Sequence, residues 1–386
     1  LRPNLIYPIY LIFWTFLRKI TSIIISKVFH FKGSIVYTFL MFLGELIGGY
    51  LFYRYQKNFV EGNIEQKNKV IKTKFSLLQT HQEMIREDGL IKLFFLIFMT
   101  GFFEFILSTY YLNKILKISG TLQTRLGGLL IIISSSLYWF LLKFQIFRHQ
   151  IFSVSILVVG IIILIISEFF FQKFDGIITV KDFIVSLIFS SFTHVSIAYN
   201  NTIEKYLIDF DFLNPFFLLM CQGIIGLCFT IICACVETPF QAFINVYNNN
   251  SGGMISLFFF LLILYAIFGA LKNIYRMFTV MLFNPMNKHL ADIIINPIYI
   301  IYYFLIGDDF RKEGEPYYFY FFSNLALLII FDICGLIFNE FLILFCCGLE
   351  FNTYESVSVR ASKLEEMTNM NEEDEEVEID DKDNKE

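Results

Sequence analysis

Long apolar stretches, broken by short polar ones, run through the first 346 residues of the chain. A helix needs roughly 20 mainly apolar residues to cross about 30 Å of hydrocarbon. Read with that length, the pattern predicts ten spans, over 4–26, 34–54, 91–112, 119–142, 151–171, 182–200, 215–236, 254–276, 284–306 and 318–346. The first stretch contains Arg18 and Lys19 and is followed by no small-residue cleavage site, so it reads as a span rather than a signal peptide.

A faint internal repeat adds an arrangement to the count. Gln123–Leu141 aligns without gaps on Asn287–Leu305, with identities at Leu126/Leu290, Ile131/Ile295, Tyr138/Tyr302, Phe140/Phe304 and Leu141/Leu305. Leu40, Met41 and Gly44 align on Leu219, Met220 and Gly223. These matches pair the fourth span with the ninth and the second with the seventh. They divide the chain into a first five-span repeat over 1–171, a second over 172–346, and a tail over 347–386. An odd number of spans per repeat turns the second copy upside down, as in the inverted repeats of secondary transporters. The expected fold is an all-α polytopic membrane protein of ten helices in two inverted five-helix repeats.

Composition agrees with that class. Of 386 residues, 56% are hydrophobic and 17% charged, and 49 are Phe; the mean hydropathy is +0.62. A soluble domain carries about 25% charged residues. The seven cysteines show no CxxC spacing and no nearby histidine, which argues against a zinc site or a disulfide frame. The net charge of −5 is unevenly distributed: residues 351–386 hold 13 acidic and 4 basic side chains, a net of −9, which leaves +4 for the body. The tail reads as a disordered, solvated end. No segment has the basic, aromatic-interleaved character of a nucleic-acid surface. The densest basic run lies in the 55–90 loop and its flanks. Placing it in the cytosol puts both termini there, with 13 Lys and Arg in the loops of that side against 8 on the other. The 237–253 loop then faces a lumen and carries the glycosylation acceptor Asn249-Asn250-Ser251. A second sequon, Asn200-Asn201-Thr202, falls on the cytosolic side.

Charges inside spans are the functional candidates, because each costs about 2.5–3.5 kcal/mol or more at a helix centre unless it is paired or wetted. Lys19 and Glu45 lie well inside adjacent spans and carry opposite charges. They can form an ion pair, or the Glu can titrate. Arg276, Lys288 and His289 fall near predicted helix ends and are expected to snorkel to the interface. Glu340 is expected to be solvated, His194 to be a packing histidine, and Glu104 and Asp332 to be as fit for structural ion pairs as for function. Gly44, Gly48, Gly49, Gly223 and Gly226 mark places where helices approach closely.

Several short motifs, in order, resemble the drug/metabolite transporter superfamily, and within it the F branch of solute carrier family 35. Met41-Phe42-Leu43-Gly44-Glu45 resembles its MF-x-GE string, preceded by Thr15 and Lys19 at T-x-x-x-K spacing. Gln123 and Gly127 match its Q-x-x-x-G, with Arg125 one residue early. Arg148 and Gly160 fit its basic turn and fifth span. Glu204-Lys205 matches E-K, and Asn214-Pro215 with Gly223 and Gly226 matches N-P…EG-x-x-G, with Gln222 in place of the Glu. Lys288 and Asp292 fit R-x-x-x-D, and Phe338-Asn339-Glu340 fits the closing aromatic-Asn-Glu. The strings Tyr199-Asn200-Asn201 and Gly269-Ala270-Leu271-Lys272-Asn273 look like nucleotide-binding strings of sugar-nucleotide carriers, but stand out of register and are read as coincidence.

The resemblance implies a secondary transporter or exchanger working by alternating access on a small polar or anionic metabolite, nucleotide-sugar-like or related. The membrane would be an endomembrane, Golgi or lysosome/vacuole. Lys19, Arg125 and Lys272 are then the expected holders of an anionic group, Gln123 and Asn273 the polar selectors, and Glu45 the proton or counter-ion carrier. The expected partners are the small-molecule substrate and the bilayer; a homodimer is left open. The alternative is a non-transporting scaffold or receptor recruiting cytosolic partners through its acidic tail. No HExxH, GxSxG or phosphate-cradling glycine loop supports an enzyme, and no metal or cofactor is expected.

Overall fold

The computed structural model describes residues 6–31, 33–67, 87–107, 126–142, 146–171, 180–209, 211, 213–236, 240–282, 288–289, 293–298, 301 and 316–342. Ten helices of ten residues or more form among them: α1 (Ile6–Phe29), α2 (Ser34–Lys67), α3 (Glu87–Leu107), α4 (Gly128–Leu141), α5 (Arg148–Phe171), α6 (Val180–Asp209), α7 (Pro215–Val236), α8 (Phe240–Asn249), α9 (Gly252–Leu282) and α10 (Pro316–Phe338). Residues 293–298 are also helical. Seven of the described helices contain a stretch long and apolar enough to cross a bilayer, in α1, α2, α5, α6, α7, α9 and α10, and α4 is a shorter apolar helix. Their outer faces are bare hydrocarbon: Phe140 is 75% and Phe170 77% exposed, which a membrane tolerates and water does not. The chain is an α-helical, multi-pass integral membrane protein.

Local chemistry sets the helix ends. Asn214 caps α7, its Oδ1 accepting from the backbone N–H of Phe216 (2.9 Å) and Phe217 (3.3 Å), while Pro215 takes the first helical position, where a missing N–H costs nothing. Gln150 Oε1 accepts from the Phe147 N–H at 3.0 Å at the start of α5. α10 stops at Phe338, eight residues short of the predicted end at 346. There the N–H of Glu340 reaches the Ile337 carbonyl (3.1 Å) and that of Phe341 the Leu336 carbonyl (2.9 Å), a Schellman closure. Glu340 occupies its left-handed position, with φ 60°.

α2 crosses α7, and α9 packs on α1 and α2; α7 packs on α3, α6 on α3 and α4, and α5 on α10. The α2/α7 crossing is close because glycine lines both sides. A Cβ on Gly223 would sit 2.6 Å from the Leu46 nitrogen, and one on Gly49 would sit 2.8 Å from the Met220 nitrogen. Phe331 of α10 fills the seam with α4 and α5, lying over Gly128 and Gly160. A second core joins Ile25, Phe29 and Phe31 to Val246 of α8 and Phe258 and Tyr265 of α9.

Four departures from the spans expected of the sequence stand out, and the first two change the surroundings of the buried charges. α6 runs to Asp209, nine residues beyond the predicted 200, and α9 runs to Leu282, six beyond 276. The 237–253 segment, expected to be a plain loop, contains α8, which buries Val246 and leaves Ile244 and Tyr247 exposed. α2 continues to Lys67, so part of the expected 55–90 loop is helical. Most of 284–306, the first residues of 119–142, and the tail lie outside the described residues.

Candidate functional site

Glu45 sits midway along the apolar stretch Ile35–Tyr55 of α2 and is fully buried. Its Oε1 accepts from Asn273 Nδ2 of α9 at 2.7 Å, and its Oε2 is buried with no hydrogen-bond partner among the described residues. Two of the expected site residues thus meet across the α2/α9 contact.

One turn further along α9, Arg276 is the hub of a larger cluster. Both of its terminal nitrogens engage the Glu104 carboxylate of α3, Nη1 on Oε1 and Nη2 on Oε2 at 3.3 Å. Nη2 also donates to Gln222 Oε1 of α7 at 3.1 Å and lies 3.7 Å from Glu204 Oε1 of α6. Gln222 Nε2 donates to that same Glu204 Oε1 at 2.9 Å. An amide fits this place because it accepts from a guanidinium and donates to a carboxylate at once. A Glu there would set a second carboxylate against Glu204. The Gln that departs from the family string is therefore matched to its neighbours.

The cluster continues toward α4. Lys288 Nζ stands 3.9 Å from Glu204 Oε2 and donates to Asn201 Oδ1 of α6. That donation fixes the amide, so Asn201 Nδ2 faces His289 Nε2 at 3.3 Å. Nε2 is then the acceptor, and it receives Ser134 Oγ of α4 as well, at 2.9 Å. Three carboxylates, Glu45, Glu104 and Glu204, thus share the interior with the cations of Arg276 and Lys288. Glu204 is fully buried, and Arg276 and Lys288 are each under 10% exposed.

Arg276, Lys288 and His289 do not snorkel as the sequence leads one to expect. Arg276 lies inside α9 because the helix continues six residues past it; Arg276 and Lys288 donate to buried acceptors, and His289 Nε2 accepts from Asn201 and Ser134. Glu340, expected to be solvated, is largely buried, its Oε1 3.3 Å from His149 Nε2. His194 Nδ1 donates to the Ser190 carbonyl one turn back on α6, at 2.7 Å. The sequon Asn200-Asn201-Thr202 is buried within α6, whereas Asn249 is exposed at the end of α8.

Lys19 is elsewhere. It lines an apolar cavity of about 270 Å³ with Phe16, Ile20, Ile23 and Ile24 of α1 and Ile295 and Ile298 of the 293–298 helix. Its neighbour Arg18 turns toward α9, where Nη2 donates to Tyr265 Oη at 2.8 Å and the guanidinium stands 5.0 Å from that ring's centroid. Arg18 is also close enough for its charge to act on Glu45. Lys272 is half-buried on α9. Gln123, Arg125 and Asp292 lie outside the described residues. No group of His, Cys, Asp and Glu among the described residues is arranged to hold a metal ion.

No protein-family model matches the chain, and no curated protein matches it in sequence. The geometry of the ionic cluster carries the functional reading by itself.

Proposed function

We propose that the chain is a secondary transporter that moves a small polar or anionic metabolite by alternating access, with the ionic cluster around Arg276 at its centre. The carrying observation is how that cluster is assembled. Glu45 and Glu104 come from the first half of the chain, and Glu204, Gln222, Asn273, Arg276 and Lys288 from the second. Charge inside a bilayer is costly unless paired or wetted. Charge shared between two halves is positioned to open to either side when the halves rock.

The ten-span, inverted-repeat plan belongs to this reading. It is supported by the helix contacts, taking α9 as the eighth span, 284–306 as the ninth and α10 as the tenth. Exchanging each span with the one five places away turns the α1/α9 contact into α6/α3, and α2/α9 into α7/α3. The same exchange leaves α2/α7 and α5/α10 as themselves, and pairs α4/α6 with the α1 wall facing 293–298. Glu45, whose hydrogen bond comes from a neutral amide, is the coupling carboxyl in this account, and Asn273 its partner. Both termini face the cytosol of an endomembrane, with Asn249 on the lumenal side.

Uptake into proteoliposomes, screened over nucleotide sugars, nucleotides and amino acids, tests the reading. Uptake of one class, collapsing in a folded Glu45→Gln variant, is the expected result. A folded, reconstituted protein that moves none of them, or a Glu45→Gln variant with unchanged pH dependence, counts against transport and against the coupling role respectively.

A further inference from the structure

The two carboxylates beside the Arg276 guanidinium are not equivalent. Glu204 is tied in on several sides: Oε1 accepts from Gln222 and faces Nη2, and Oε2 faces Lys288. Its side chain is 0% exposed. Glu104 is 13% exposed, and among the described residues its hydrogen bonds go to Arg276 alone. It also holds both terminal nitrogens with both oxygens, the two-pronged geometry in which a guanidinium takes a carboxylate ligand. Glu104 thus occupies the fork as an internal carboxylate that can leave, while Glu204 stays.

This inference rests on the transport reading above and names its cargo. We propose that the cargo carries a carboxylate that takes the place of Glu104 on Arg276, and that Glu104 accepts one proton as it lets go. The charge balance dictates the second half of that statement. When cargo binds, the two N–H···O contacts to Glu104 are exchanged for two to the incoming carboxylate, and the guanidinium keeps its single positive charge. Glu104 is then a carboxylate beside Glu45 of α2, around a guanidinium that Glu204 of α6 and the uncharged Gln222 of α7 also face. Arg276 of α9, its cation among the described residues, is already taken. One proton from the solution that delivered the cargo neutralises it, and this is the same single proton that the coupling role of Glu45 calls for, shared between the two neighbouring carboxyls. On the far side cargo leaves, Glu104 returns to the fork, and the proton is released there. For a cargo whose only charge is that carboxylate, one anion and one proton cross together, with no net charge moved.

The same balance disfavours a phosphate group. A phosphate dianion brings a second negative charge, and Lys288, the other cation of the cluster, already faces Glu204 and donates to Asn201.

The test uses the purified full chain in proteoliposomes with a pH-sensitive dye inside. Pyruvate and L-lactate are compared with inorganic phosphate and UDP-glucose. A carboxylate should enter faster when the outside is acidified, bringing one proton per molecule. Glu104→Gln should lose the response to pH and bind the carboxylate about tenfold more tightly, because the internal competitor no longer holds the fork. Arg276→Lys should lose the carboxylate preference. Uptake of phosphate or UDP-glucose in place of any carboxylate overturns the cargo assignment and leaves transport standing. So does a Glu104→Gln protein whose uptake still follows pH. Uptake of nothing overturns both. If Glu104→Gln does not fold, the proton count of the wild-type protein decides the matter: any value other than one per carboxylate refutes the exchange.

Discussion

Gly223→Ala should loosen the α2/α7 crossing by an amount that the local geometry sets. The added Cβ would lie 2.6 Å from the Leu46 nitrogen and 3.0 Å from the Leu46 Cα and Phe42 carbonyl oxygen, all backbone atoms of α2. Ordinary contact begins near 3.4 Å, so the helices must part by 3.4 − 2.6, or about 0.8 Å. A gap of that size forfeits a quarter to a half of each contact's attraction, itself about 0.1–0.2 kcal/mol. Over roughly 30 atom pairs at a helix crossing the loss is about 1–2 kcal/mol, within the usual cost of overpacking. Gly49→Ala, facing the Met220 nitrogen at 2.8 Å and the Phe216 carbonyl oxygen at 2.9 Å, should cost a similar amount. Because one separation relieves both clashes, the double variant should cost less than the two single costs combined. Gly252→Ala, with nothing within 4 Å, is the control and should stay within about 0.5 kcal/mol of the parent. Equilibrium unfolding in mixed micelles, followed by far-ultraviolet circular dichroism, measures all four. If Gly223→Ala and Gly49→Ala are as harmless as Gly252→Ala, or if their costs simply add, the helices do not meet backbone to backbone as described.

Arg276→Met should destabilise the protein by about 3–5 kcal/mol, since it strands the buried carboxylate of Glu204; adding Glu204→Gln should recover part of that in the same unfolding assay, and the absence of any recovery would refute the pairing. Asn214→Ala removes the α7 cap and should cost about 0.5–2 kcal/mol, whereas Asn214→Asp or Asn214→Ser should cost less; equal losses for all three would show that the side chain does not cap. Asn249→Cys should react with an impermeant maleimide from the lumenal side of sealed vesicles and not from the cytosolic side, and the reverse pattern would invert the topology.

Helix positions are legible from the run lengths of apolar residues, and helix ends are not. That difference hides the site. With the sixth span closed at 200, Glu204 and Lys205 read as a loop pair, and with the eighth closed at 276, Arg276 reads as a terminal charge free to snorkel. The apolar positions Ile203, Leu207 and Leu213 leading to the Asn214-Pro215 start of α7 are the available signal that α6 continues, since they are buried against α3 and α7. Glu45 and Asn273 both stand out in the sequence, yet nothing in a one-dimensional pattern shows that they touch. Lys19 illustrates the converse. Its depth in α1 marks it as costly, but one residue of helical rotation separates it from Arg18, and Arg18 is the one that turns toward α9. Asn201 and Asn273 belong to two strings that read as coincidence, and both lie on the polar chain that crosses the bundle.

The composition of that chain argues for a moving part over a structural one. A buried ion pair is a poor source of stability, because well-packed apolar residues of the same volume usually do as well or better. In a bilayer the incentive to replace it is stronger still, as each charge also carries a cost of insertion. A protein with 49 Phe has ample apolar side chains with which to fill the same space. Here five charged groups and their amide partners occupy the contact between helices from both halves, and the fully buried Glu45 leaves one oxygen without a hydrogen bond among the described residues. A static scaffold gains nothing from that strain. A site that must release one partner and accept another needs each bond weak enough to trade, and an internal carboxylate on a guanidinium fork is such a bond.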